Sequence, residues 1–110
     1  MSHTPFIKEP SAEGKEKHVP VIKVADNAVT VVVGDDVAHP NTEAHYIAWL
    51  ELYGEKKEGG QVVQLGRAAI TAALTDPRAT FQTTGLGDFS KLHALSYCNL
   101  HGVWANTLAL

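Results

Sequence analysis

One cysteine in 110 residues rules out an internal disulfide, so the thiol of Cys98 remains for metal or redox chemistry or for the core. The only methionine is Met1, which removes the weak axial thioether that a blue-copper site normally uses. There is no dense Lys/Arg block, and the formal net charge of −3 argues against a nucleic-acid binder. No segment approaches the length of a membrane span, and residues 1–10 contain no apolar run long enough for a signal peptide. The expected compartment is therefore the cytoplasm, which suits an unpaired thiol. Repeats and low-complexity tracts are also missing. What is present is ordinary globular composition, 45% hydrophobic and 19% charged, at a length that predicts a single domain.

Residues 1–17 are polar and interrupted by Pro5, Pro10 and Gly14, which predicts an irregular arm and loop ahead of a β domain over residues 18–110. Residues 29–33 are almost all valine and end at Gly34-Asp35-Asp36, as a strand meeting a turn does. Residues 44–53 are apolar on both faces and rich in aromatics, which predicts a buried strand stopping at Gly54. Residues 61–65 follow the Gly59-Gly60 turn and read as a further strand. Residues 67–74 are ambiguous, because their alanines favour helix. Residues 79–84, 92–97 and 103–108 complete about seven short strands, the pattern of an all-β antiparallel sandwich.

Histidine is where the chain is rich, with six. Four occur in short motifs together with the cysteine: Glu16-Lys17-His18-Val19-Pro20, His39-Pro40-(x4)-His45 and Cys98-Asn99-Leu100-His101-Gly102-Val103-Trp104. Cys98 and His101 have a spacing that puts two side chains on one side of a turn. Asn99 and Gly102 are residue types that tolerate the left-handed backbone such a turn often needs. In an extended strand His39 and His45 would lie roughly 20 Å apart, and in a helix about 240° apart. They can share an ion only if residues 40–44 form a compact loop. His3 and His93 read as a tail residue and a strand residue, and a lone buried cysteine is commonly inert. Five candidates in three compact motifs are another matter. Zinc takes four ligands, whereas four imidazoles and a thiolate suit five-coordinate iron with one position open.

The three motifs together resemble superoxide reductase, in the one-iron, neelaredoxin-type form, from about residue 13 to Trp104. The four-cysteine rubredoxin-like site of the two-domain desulfoferrodoxins has no counterpart in this sequence. The resemblance implies an immunoglobulin-like β-sandwich holding one non-haem iron, with His18, His39, His45 and His101 equatorial and Cys98 axial. It implies one-electron reduction of superoxide to hydrogen peroxide. It places Lys17 as a cation beside the open position and Glu16 as a carboxylate able to close that position when the iron is oxidised. It also implies an external donor, rubredoxin or a similar small carrier, and a homo-oligomer, dimer or tetramer. Two other readings use the same residues. One is a non-catalytic iron electron-transfer or storage module; the other is a structural zinc site engaging Cys98 and three histidines.

Overall fold

The computed structural model describes residues 6–14 and 17–110. Eight strands are described: β1 (Ile7–Lys8), β2 (Val21–Ala25), β3 (Ala28–Val32), β4 (Ile47–Lys56), β5 (Val62–Ala69), β6 (Arg78–Gln82), β7 (Phe89–Cys98) and β8 (Gly102–Ala109). They form two sheets, β1-β8-β7-β4-β5 and β2-β3-β6. The architecture is the expected immunoglobulin-like sandwich, antiparallel throughout except that β1 lies parallel to β8. None of the described helices is long and apolar enough to cross a membrane.

Period-two patterning sets which side chains meet between the sheets. On β3 the valines at 29 and 31 are fully buried, followed by Val33 just past the strand. Leu92, Ala94, Ser96 and Cys98 alternate inward on β7 and are all fully buried. Cys98 is thus the last inward position of a core strand, in phase with the apolar residues behind it. β4 keeps Leu50 and Leu52 inward, but the register shifts between Ile47 and Trp49. That bulge changes the strand's phase, so Ile47 also points inward, opposite Cys98.

Three expectations need correction. The arm is not wholly irregular: Ile7 and Lys8 pair with Val103 and Trp104, and Pro10–Ala12 is a single 3-10 turn. β4 begins at Ile47, not at Ala44, and runs through Gly54 to Lys56. Gly54 is an interior strand residue because a Cβ there would lie 2.7 Å from the Phe89 ring. The alanine-rich segment is strand as far as Ala69, continuous with residues 62–65, and only then turns. Pairing with β4, from Leu52–Gly66 to Trp49–Ala69, holds it extended, and Gly66 lets it pack. That glycine faces the Phe81 ring of the other sheet so closely that no side chain fits.

The turn after β5 places Ala73 at φ 64°, a conformation that costs a residue with a Cβ about 1–2 kcal/mol. Its N–H donates to Asn41 Oδ1 at 3.0 Å, and glycine would keep that bond. Ala73→Gly should therefore raise stability by about 1 kcal/mol, or roughly 4–8 °C in thermal midpoint. A midpoint unchanged or lowered in the metal-free protein would contradict this.

Candidate metal centre

Three loops and the end of one strand converge at one end of the sandwich. His18 comes from the approach to β2, His39 and His45 from the β3–β4 loop, and Cys98 and His101 from the β7–β8 hairpin. The donor atoms of His18, His39, His45 and Cys98 all lie within 4.8 Å of one another. His101 joins them, with Nδ1 at 3.1 Å from His18 Nε2 and 3.7 Å from Cys98 Sγ.

The imidazoles form a closed ring. Successive centroids are 4.8 Å apart for His18–His39, 4.8 Å for His39–His45, 5.0 Å for His45–His101 and 4.8 Å for His101–His18. Each pair meets edge to face, at 65° to 79°. His39 and His101 are opposite corners of this square. Cys98 Sγ lies nearly equidistant from these two, 3.6 Å from His39 Nε2 and 3.7 Å from His101 Nδ1. Two nitrogens bound at right angles to one ion, each about 2.1 Å away, sit roughly 3 Å apart. The 3.1 Å His18–His101 edge matches that spacing. A set of four imidazoles and one thiol holds one donor more than tetrahedral zinc would use and would suit a five-coordinate ion.

Backbone chemistry holds each corner. His39 Nδ1 bonds to the Pro40 carbonyl at 2.7 Å, which makes Nδ1 the protonated nitrogen and turns Nε2 toward the sulfur. The 40–44 loop is compact, with Thr42 and His45 exchanging backbone N–H···O bonds at 2.9 and 3.2 Å. Asn41 fastens it to the turn after β5 through Thr75 O and Ala73 N. Asn99 joins the hairpin turn to the other half of the site: its Oδ1 accepts from Tyr46 N at 2.8 Å and its Nδ2 donates to Ala44 O at 2.9 Å. Gly102 has the left-handed backbone expected of the turn, at φ 88°, whereas Asn99 is not among the described residues with positive φ. Asn99 is needed for its amide. The polar groups that approach Sγ among the described residues are the two imidazoles, not the turn's own N–H groups.

Around His18 the holding groups come from four directions. Glu13 Oε1 accepts from the backbone N–H of His18 at 2.6 Å and of Val19 at 3.1 Å. The buried Ser96 hydroxyl donates to His18 O at 2.9 Å, and Asn106 donates to Pro20 O. Trp104 stacks on the His18 ring at 4.7 Å and 9°. None of these roles was read from the sequence. Ser96 and Trp104 carried a signal, since both fall on the inward phase of strands ending at the cysteine turn. Glu13 carried none.

The site is graded in exposure. Cys98 is fully buried, His18 and His39 are 5% exposed, and the His45–His101 edge is half-buried. Lys17 is half-buried beside a hollow of about 210 Å³ that it shares with Glu13, Asp35 and Asp36. Glu16 lies outside the described residues. His93 is remote from the cluster, bonding to Glu55 and Thr107 on the outer face of the sheet.

The sequence and fold are similar to those of a known group of proteins. A superoxide reductase of Pyrococcus abyssi is 46% identical over 104 residues, covering 86% of this chain and 88% of its own. The one-iron superoxide reductase of Giardia intestinalis superposes with a TM-score of 0.83 at 44% identity, covering 87% of this chain and all of the other. The neelaredoxin of Ignicoccus hospitalis gives 0.85 at 34% identity, covering 100% and 98%. With the desulfoferrodoxin profile matching residues 10–107, all but the two ends, the chain belongs to the desulfoferrodoxin family.

Proposed function

We propose that this chain reduces superoxide to hydrogen peroxide at the cluster of His18, His39, His45, Cys98 and His101, with those five side chains as the ligands of one iron. The observation that carries the assignment is the closed square of imidazoles with a fully buried sulfur 3.6 and 3.7 Å from nitrogens at two opposite corners. Bound there, ferrous iron supplies a single electron and an open coordination position. Superoxide, one electron and two protons give hydrogen peroxide, so each turnover consumes an electron that must be replaced. Residues 1–17 act as the arm and site loop, and residues 18–110 as the iron-binding sandwich.

The protein's part follows from its placement of charge and solvent. A buried thiolate is a strong, soft donor on one side of the ring. The half-buried His45–His101 edge gives a small anion and water-borne protons a route from solvent. The chain's net charge of −3 opposes an anion at long range, so a local cation is needed to reverse the field. Lys17 would be that cation, and Glu16 would be a carboxylate available to the iron as a further ligand. The electron comes from rubredoxin or a similarly small carrier, the protein works as a homo-oligomer, and its place is the cytoplasm.

Two measurements test this reading. Iron-loaded protein should hold about one iron per chain, show a visible thiolate-to-iron band on oxidation, and consume superoxide with peroxide as product. Iron binding with that band but slow superoxide consumption would favour a storage or carrier module; exclusive zinc binding would favour a structural site. Lys17→Ala should slow the bimolecular step by about three- to ten-fold at low salt, with a flatter salt dependence. An unchanged rate would remove Lys17 from the reaction.

A further inference from the structure

We propose that Trp104 is the positioning residue of this centre, and that Lys8 on the N-terminal strand completes it. The inference rests on the five-ligand reading above and adds a device to it. Trp104 touches two candidate ligands in different ways. Its indole face lies parallel to the His18 ring, 4.7 Å away and 9° off. Its Nε1–H donates to the carbonyl oxygen of His101 at 3.2 Å. One side chain therefore sets the plane of His18 and the backbone of His101, whose ligand nitrogens form the 3.1 Å edge of the square. These two residues are 83 positions apart in sequence, so no local turn can fix their spacing.

The indole is itself fixed. Trp104 is 3% exposed and points inward on β8, next to the buried Ser96 to which it pairs on β7. Ser96 holds the His18 carbonyl, so the ring and the backbone of one residue are gripped by cross-strand neighbours. Outside, Lys8 of β1 pairs with Trp104 in register and sets its Nζ 5.3 Å from the ring centroid. A cation over an indole is attracted to the ring's electron-rich face. The short parallel strand thereby places a positive charge against the aromatic that braces a candidate ligand. The arm is in this way part of the metal site.

Stacking in the metal-free chain is read directly by proton NMR. His18 ring protons should be shifted upfield by the indole in wild type and return toward ordinary values in Trp104→Leu. Unshifted His18 protons in wild type would overturn the proposal. With iron or cobalt(II) as probe, Trp104→Phe should release metal to a chelator about 10–100-fold more readily, the range expected when a ligand's outer partner is lost. Its thiolate band should also shift or broaden. Lys8→Met should move both readouts the same way by about two- to five-fold, and Lys8→Arg should restore them. If the Trp104 variants do not fold, the exposed Lys8 position carries the test: affinity, band and His18 shifts all unchanged in Lys8→Met would overturn the coupling. Absence of any thiolate band in loaded wild type would overturn the ligand assignment instead, leaving the NMR result to decide the stack.

Discussion

Cys98→Ser is expected to abolish the visible band of the oxidised iron protein and to lower superoxide reduction by more than about a hundred-fold. Loss of an outer partner already costs 10–100-fold in metal affinity or activity, and Sγ, 3.6 and 3.7 Å from two imidazole nitrogens, is proposed as an inner donor. A hydroxyl is a harder and weaker donor to iron than a thiolate. Packing must be separated from ligation here, because Cys98 is fully buried within the hydrophobic cluster. Burying a hydroxyl in its place costs about 1–3 kcal/mol if it finds no partner. Cys98→Ala removes that complication while deleting the same donor. Both variants should lose the band, and both should lose some stability without metal, the alanine variant through a cavity and the serine variant through its buried hydroxyl. A band retained in both would mean that sulfur is not a ligand, and the five-donor centre would fall with it.

The second large effect is expected at a residue with no functional group. Gly34 ends the valine strand at φ 77°, and a Cβ there would lie 2.5 Å from the backbone nitrogen of His39 and 3.0 Å from Val37 O. Those are backbone atoms and cannot swing aside. Gly34→Ala combines about 1–2 kcal/mol for the left-handed conformation with about 1–3 kcal/mol for overpacking, against a total stability of about 5–15 kcal/mol. Gly59 provides the control. Its φ is 79°, but nothing lies within 4 Å of its notional Cβ, so Gly59→Ala carries the conformational term alone. Thermal unfolding of the metal-free variants should therefore show Gly34→Ala well below Gly59→Ala. Chelator competition should show weaker metal retention only in the former, because relief of the clash displaces His39. Equal melting points would mean that Gly34 does not press on His39.

Much of this was legible in the sequence, for reasons that differ by residue. Cys98 and His101 are three residues apart, so their meeting is a local matter that spacing can reveal. Residues 29–33 announce a strand because β-branching and a glycine stop agree. The meeting of His39 and His45 depended on loop closure, and the Pro-Asn-Thr-Glu stretch signalled a loop without showing that Asn41 would tie it to residues 73 and 75. Residues 67–69 stayed ambiguous because helix propensity is a weak preference, and it is pairing with β4 that makes them strand. β4 began three residues late and ran two past Gly54 for a similar reason: the bulge at Ile47 and the Phe89 ring are tertiary facts. Glu13 acts on the backbone N–H groups of His18 and Val19, and such a contact leaves no pattern in side-chain order, whereas Ser96 at least kept the inward phase of its strand.

The hairpin that carries Cys98 and His101 also bears on how the chain folds. Those two donors sit on one turn, while His39 lies 59 residues from the thiol and His18 lies 83 from His101. A disordered chain can thus offer an ion only local pairs, the hairpin pair or His39 with His45, and the remaining proposed donors are recruited as the sheets close. Once all five proposed donors are engaged, the ion ties together segments from His18 to His101 in the folded state, and most of those bonds must break before the chain can unfold. Loading with metal should then slow unfolding far more than it speeds folding. Residual affinity of such local pairs would subtract from the stabilisation that simple mass action gives.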